Sequence, residues 1–322
     1  MANNIAGPNR TYLGVACGIG AGALWGLVFL APEVVRSFSP LQLAIGRYLA
    51  FGVLAALWIG RGWRTLLAAV PARSWWWIAW VSLTGNTLYY VLLASAVQKG
   101  GIAMTSLVLG FLPVPVTIIG SRDAGAVSLA KLLPSLLLCV AGAVCIGWQS
   151  LSAPAAGAVP AQFTGFLFAL GALACWTLYA VNNSRCLARL PQLSAHEWNL
   201  LIGIVTGAQA LLLVPIALLF EPVRHSGGEW LSLAGVSIAV ALLASIGGNA
   251  LWNRMSRLLP LTLVGQMILF ETLFGLLYAF AWERRLPTVL EAAAFVLVVA
   301  SVLSCIAAHR RRAGRAVVAA TT

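Results

Sequence analysis

The sequence predicts an all-α membrane protein, with ten transmembrane helices in two inverted five-helix repeats around a central cavity. Three observations support this fold class. The chain of 322 residues is 61% hydrophobic and only 9% charged, whereas soluble domains have about 45–50% apolar and about 25% charged residues. One motif with a polar centre occurs in both halves of the chain. Lys and Arg are concentrated in the segments that would lie on one side of a membrane.

The repeated motif is Ser-x-x-Gly-Asn-x-Leu followed by an aromatic residue, and it occupies 82–89 and 245–252. Both copies lie in long apolar runs, where an Asn is costly unless it finds a hydrogen-bonding partner. Two costly residues at the same place in the two halves favour duplication. We therefore expect a first five-helix repeat at 1–150, and a second, inverted one with a basic cytoplasmic tail at 151–322.

The apolar runs give the number of spans. A spanning helix needs about 20 mainly apolar residues, and ten such runs can be placed. The linkers between them are short and polar or rich in Pro and Gly, which leaves no room for a soluble domain. The runs are approximately 11–31, 41–60, 75–98, 102–121, 126–148, 163–183, 197–220, 231–254, 259–282 and 288–308.

The basic residues predict the orientation of these spans. When both termini are placed in the cytoplasm, most of the 20 Lys and Arg residues lie in cytoplasmic segments. Because five is an odd number, the second repeat then crosses the membrane in the opposite direction to the first. Inverted repeats are typical of transporters, whose substrate site lies near the midplane between the repeats. The topology also accounts for the net charge of +12, so no nucleic-acid partner is expected.

The candidate substrate-binding residues are polar or aromatic side chains inside the spans. Glu271 is the only acid deep in any span, where a charge costs about 2.5–3.5 kcal/mol, and a functional role is the default interpretation. The uncharged candidates also fit purely structural roles in hydrogen bonding or ring packing between helices. The full set is Trp25, Asn86, Tyr89, Tyr90, Trp176, Tyr179, Asn249, Gln266 and Glu271.

Three further residues are candidates for gating: Gly22, Pro113 and Pro115. Gly22 belongs to a row of glycines at every fourth position of the first helix, which favours either close helix packing or a wall that slides. The two prolines remove backbone donors from the fourth helix, which makes them either structural kinks or rocking points. Arg47 is the only base inside a span, and a structural pairing or an outward-reaching side chain is favoured for it.

Several other functions find little support. No G-x-x-x-x-G-K-[ST] loop is present, so ATP is not the direct energy source. The six cysteines show no CxxC or Cys/His spacing, and neither a metal nor a cofactor is expected. Scattered histidines and few acids argue against an enzyme. A channel is a further alternative, and saturable flux would argue against it.

Short motifs in both halves connect the chain with a known family. Arg47 lies in an A-x-x-R-Y setting in the second helix, and 85–96 and 248–255 resemble G-x-x-L-x-(Y/W), although in the second stretch the aromatic follows the Leu directly. Segments 111–114 and 270–273 fit L-E-P-V, although Leu112 stands in place of Glu and Thr272 in place of Pro, so Glu271 has no symmetry mate. Together these motifs resemble the drug/metabolite transporter (DMT) superfamily, in its EamA-type ten-helix branch.

Within that superfamily, the chain is similar to the YddG-type aromatic amino acid exporters. This resemblance implies a bacterial inner-membrane protein with both termini in the cytoplasm. It also implies a secondary transporter that exports aromatic and other neutral amino acids by alternating access. A multidrug or cation exporter of the same superfamily is the alternative, because rings beside a carboxylate also suit cations. The expected partners are a small-molecule substrate and the lipid bilayer, and the oligomeric state is open, with a monomer as one option.

Overall fold

The computed structural model of the chain describes residues 8–123, 126–151, 159–221, 224–284 and 286–321. Every regular element within those ranges is helical, and each of the ten predicted spans is built of helix. Among the described residues, seven helical segments are long and apolar enough to cross a membrane, and Leu129–Cys145 is a shorter apolar helix. The prediction of an all-α membrane protein is therefore confirmed.

The helices of the first half follow the predicted runs closely. The third span includes one π-helical segment, in which the hydrogen bonds reach five residues along the chain. The first span is Pro8–Gly26 with a 3-10 turn at Leu27–Phe29, and the second is Pro40–Ile59. The third span begins with Ser74–Ser82 and the π-helix Leu83–Thr87 and ends within Leu88–Leu109, and the fourth consists of the rest of that helix and Pro113–Gly120. The fifth span is Leu129–Leu151.

The helices of the second half repeat this order, again with a π-helical segment in their third member. The last helix continues beyond the predicted limit of the membrane. The sixth span is Val159–Arg189 and the seventh is Ala195–Phe220. The eighth consists of Gly227–Val240, the π-helix Ala241–Gly248 and Asn249–Leu258. The ninth consists of Leu261–Met267 and Leu269–Glu283, and the tenth is Val289–Thr321.

Equivalent helices in the two halves begin in the same way. Ser39 caps the second span and Ser194 caps the seventh, each by accepting a hydrogen bond from the backbone N–H three residues later. In each case the side chain at that third position, Gln42 or Glu197, accepts a hydrogen bond in return from the backbone N–H of the serine. Such reciprocal caps satisfy backbone donors that the helix itself leaves free.

The helix Leu88–Leu109 contains the change of direction between the third and fourth spans. Ala96 and Val108 belong to one small apolar cluster with Ala169 of the sixth span. A straight helix would separate two residues that are twelve positions apart by about 18 Å. The chain therefore bends between Ala96 and Val108, and both arms pack on the sixth span.

The packing of the spans follows a twofold pattern. The second span packs on its counterpart, the seventh, and the fifth packs on its counterpart, the tenth. The first span packs on the eighth and ninth, while the sixth packs on the third and fourth. Exchanging each span for its counterpart in the other half leaves this list unchanged. The two halves therefore pack in the same pattern, while their inverted orientation stays a prediction. Their boundary was predicted at residue 150, and residues 152–158 beside it lie outside the described residues.

Candidate functional site

A central cavity lies where spans from both halves meet. Five lining residues were not among the sequence candidates: Val28, Arg47, Tyr48, Gly85 and Leu93. Seven of the sequence candidates do line it, and they come from the first, third, sixth, eighth and ninth spans. These seven are Trp25, Asn86, Tyr89, Trp176, Tyr179, Asn249 and Glu271.

The cavity is small in this conformation. Its volume is about 30 Å³, which is enough for a water molecule but not for an amino acid. The helices therefore hold the polar side chains of the two halves together with almost no space between them. A substrate of any size could enter only after the spans had moved apart.

The two motif asparagines both connect helices. Asn249 accepts a hydrogen bond through Oδ1 from the indole Nε1 of Trp25 at 3.0 Å, and the same N–H lies 3.1 Å from the carbonyl oxygen of Ala244. Asn86 donates from Nδ2 to Oγ1 of Thr206 at 3.3 Å, and its backbone carbonyl oxygen accepts from the Tyr48 hydroxyl at 3.1 Å. Each asparagine thus has a structural role as well as a place on the cavity wall.

Aromatic rings form one wall of the cavity. The ring of Trp176 is at the centre of this group, with its centroid 5.7 Å from that of Trp25 and 5.3 Å from that of Tyr179. Trp252 packs behind it, 5.0 Å from both Trp25 and Trp176. Three of these pairs are edge-to-face and the Trp25–Trp252 pair is tilted. Aromatic pairs at such distances are favourable, so the opening spans of the two halves meet through their rings.

The motif glycines make this approach possible. A Cβ atom added to Gly85 would lie 2.1 Å from the ring of Tyr179, and one added to Gly248 would lie 2.7 Å from the indole nitrogen of Trp25. In both halves, therefore, a motif glycine receives an aromatic ring from the opening span of the other half. The π-helical segments lie at the same two places, and segments of this kind are frequent at functional sites.

Arg47 is the lining residue whose role differs most from the role expected from the sequence. It was favoured as a structural residue, but its side chain lines the cavity and is buried. Its guanidinium carbon lies 4.6 Å from the ring centroid of Tyr90 and 5.1 Å from that of Tyr48. Its Nε donates to Oγ of Ser245 in the other half at 3.3 Å. Its position as the only base inside a span was the signal that could have identified it.

Glu271 contributes the negative charge of the cavity. The first span passes close to it, because a Cβ on Gly22 would lie 2.5 Å from Cβ of Phe270 and 2.9 Å from the backbone nitrogen of Glu271. Within the described ranges, its carboxylate makes no hydrogen bond or ion pair to another residue. A base and an acid thus share one small cavity, and the acid remains available to a ligand.

The remaining candidates lie away from the cavity wall. Tyr90 packs beneath the Arg47 guanidinium instead of lining the cavity. Gln266 is fully buried and accepts a hydrogen bond at Oε1 from Ser301 of the tenth span at 3.0 Å, so it serves helix packing. Pro113 begins the helix Pro113–Gly120 rather than kinking a continuous one, with Pro115 in its first turn.

Comparison with known proteins identifies the family of this chain. The EamA-like transporter family model matches residues 163–306. The chain is 30% identical over 315 residues to the inner membrane protein YtfF of Escherichia coli strain K12, with 92% of this chain and 95% of that protein covered. A chain of known crystal structure shares the fold, with a TM-score of 0.70 at 23% identity, and covers 92% of this chain and 98% of that one.

The relationship to YtfF extends over almost the entire chain, so it includes the spans on every side of the cavity. The family model covers most of the second half, from the sixth to the tenth span. The prediction of a membrane transporter rather than an enzyme is confirmed by these matches. The chain belongs to the EamA-like transporter family, within the drug/metabolite transporter superfamily.

Proposed function

We propose that the protein is a secondary transporter that exports amino acids, mainly aromatic and other neutral ones, by alternating access. The observation that carries this proposal is the presence of Arg47, Glu271 and a wall of rings in one cavity. An amino acid is a zwitterion with one carboxylate, one ammonium group and a side chain. A guanidinium group pairs well with a carboxylate, and a carboxylate pairs well with an ammonium group. The rings of Trp25, Trp176 and Tyr89 suit an apolar or aromatic side chain.

The membrane and orientation form part of the same proposal. YtfF is an inner membrane protein, and the basic residues of this chain favour cytoplasmic termini. We assign residues 1–150 and 151–322 to two units that move relative to each other during transport. The small cavity then corresponds to an occluded state without substrate. Gly22, Pro113 and Pro115 are the positions where helices would slide or rock, since Gly22 contacts the ninth span directly.

A multidrug or cation exporter is the second candidate. The rings and Glu271 would suit a cation as well as an amino acid. Arg47 distinguishes the two, because its positive charge in the same cavity repels a cation and attracts a carboxylate. The presence of Arg47 therefore favours the amino acid.

Transport in proteoliposomes tests the proposal. Vesicles containing the purified protein and unlabelled amino acid are mixed with labelled phenylalanine, threonine or methionine, and counterflow is measured with and without competing cations. We expect saturable counterflow of the labelled amino acid that is inhibited by unlabelled phenylalanine. Absence of saturable flux for every amino acid would refute the proposal.

Two charge variants separate the candidate substrates. Removing one partner of a buried charge pair typically costs 2–5 kcal/mol, so Arg47→Gln should lower amino acid transport by more than tenfold. The same change should leave cation transport unchanged or improve it. Glu271→Gln should abolish nearly all cation transport, while a neutral amino acid would keep some. Arg61→Gln, at an exposed position beyond the second span, is the matched control.

A further inference from the structure

We propose that a groove at one end of the molecule binds the headgroup of an anionic phospholipid. The groove lies between the beginning of the third span and the end of the sixth, and it is lined by Arg73, Ser74, Trp77, Arg189 and Leu190, among others. Its volume is about 540 Å³, far larger than that of the central cavity. It is also separate from that cavity, with which it shares no lining residue.

The charges of the groove indicate an anionic ligand. Arg73 and Arg189 are exposed, and among the described residues neither makes a hydrogen bond or an ion pair. Two other arginines at the same end do have partners. Arg185 pairs with Asp123 at 3.1 Å, and Arg257 donates to the carbonyl oxygens of Leu190 and Leu193. Two unpaired guanidinium groups at one opening can bind a phosphate through several charge-assisted hydrogen bonds.

The position of the groove indicates that the anion belongs to a lipid. The third span begins with consecutive tryptophans, of which Trp76 is largely exposed and Trp77 half-buried. Tryptophans at helix ends mark the depth of the lipid headgroups. Trp77 and Leu190 offer an apolar surface beside the arginines. A molecule that combines a phosphate with an acyl chain matches both parts of the groove.

The orientation proposed above places this groove in the cytoplasmic leaflet, where anionic lipids are attracted to basic segments. Basic pockets between helices on that side are known to bind lipid headgroups. The corresponding region at the other end of the molecule is occupied by packed aromatic side chains. There, between the end of the first span and the beginning of the eighth, Phe38 stacks on His225 at 4.0 Å and meets the edge of Trp230 at 5.1 Å.

Native mass spectrometry of the full chain tests this inference, with phosphatidylglycerol and phosphatidylcholine of identical acyl chains as probes. We expect retention of phosphatidylglycerol in preference to phosphatidylcholine. Each arginine should contribute about a fivefold preference, so the double change Arg73→Gln and Arg189→Gln should remove most of it. The conservative pair Arg73→Lys and Arg189→Lys should keep a preference, which shows that charge and not misfolding is responsible.

The matched control is Arg61→Gln with Arg64→Gln, two exposed arginines that do not line the groove. This control should bind lipid as the unchanged protein does. Equal retention of the two lipids, or an unchanged preference in the Arg73/Arg189 double variant, would overturn the inference. Displacement of phosphatidylglycerol by millimolar inorganic phosphate would also overturn it, because the groove would then be a site for free anions.

Discussion

At the scale of single residues, the two motif glycines control how closely the repeats approach each other. Gly85 lies against the ring of Tyr179, and Gly248 lies against the indole of Trp25. Any side chain at either position would occupy the space of a ring that lines the cavity. The Ser-x-x-Gly-Asn motif therefore combines an asparagine that joins helices with a glycine that receives a ring.

We predict that Gly85→Ala destabilises the protein and impairs transport. The new methyl group would lie 2.1 Å from the Tyr179 ring, so the ring or the third span must shift, and overpacking of this kind costs about 1–3 kcal/mol. The melting temperature in detergent and counterflow in vesicles are the measurements. Gly235→Ala is the control, because a Cβ at Gly235 meets no atom within 4 Å. Equal melting temperatures for the two variants would contradict the prediction.

The sequence predicted most of the site but not its basic residue. Seven of the candidates chosen as polar or aromatic residues inside spans line the cavity, because such residues in lipid require a partner or a function, and their role in binding stays a prediction. The direction of the Arg47 side chain depends on Tyr90 and on Ser245 of the other repeat. Those contacts exist only after the two repeats have packed. For the same reason, the rotation of the ninth helix, which turns Gln266 towards Ser301, could not be read from spacing alone.

At the scale of helices, the second and seventh spans approach each other closely through glycines. A Cβ on Gly52 would lie 2.7 Å from Cα of Gly207, and one on Gly203 would lie 2.8 Å from Cβ of Ala55. Gly203 and Gly207 are four residues apart and share a helix face, which is the small-residue pattern that lets membrane helices approach. This contact joins counterpart spans of the two halves.

We predict that Gly207→Leu separates these two helices and lowers the yield of folded protein. The new side chain has no space, because it would enter the backbone of Gly52. Ala208→Leu is a matched control at the next position of the same helix, where the side chain is exposed. Size-exclusion chromatography and melting temperature should distinguish the two variants. If Gly207→Leu behaved like Ala208→Leu, the close contact would not contribute to stability.

The helical elements themselves were largely predictable, whereas their irregularities were not. Apolar runs of sufficient length become helices in lipid because no other local structure satisfies their backbone groups. The π-helical segment Leu83–Thr87 is mainly polar, whereas Ala241–Gly248 is mainly apolar, so the two share no residue composition that marks a π-helix. Their one-residue change of register leaves no signal in hydrophobicity. The repeated motif located them, but it did not reveal their geometry.

At the scale of the whole molecule, the two ends differ although the spans of the two halves pack in the same pattern. The groove between the third and sixth spans is open, while Phe38, His225 and Trp230 fill the equivalent region between the first and eighth. The bond between Ser39 and Glu221 adds a link between the second span and the loop after the seventh. Repeated sequence predicts equivalent folds, but it does not predict which of the two ends is filled by aromatic rings.

We predict that Trp230→Ala loosens the end of the molecule closed by Phe38 and shifts the protein towards a state open on that side. Aromatic pairs contribute about 0.5–1.5 kcal/mol, so the open population should rise roughly two- to tenfold. A cysteine introduced by Tyr89→Cys, in a background without the natural cysteines, reports this opening through its rate of labelling by a membrane-impermeant maleimide. The proposed topology places this end outside the cell, so labelling from that side should accelerate. Trp76→Ala removes an exposed tryptophan at the opposite end and should leave the rate unchanged. An equal rate in both variants would mean that the aromatic cluster does not hold this end closed.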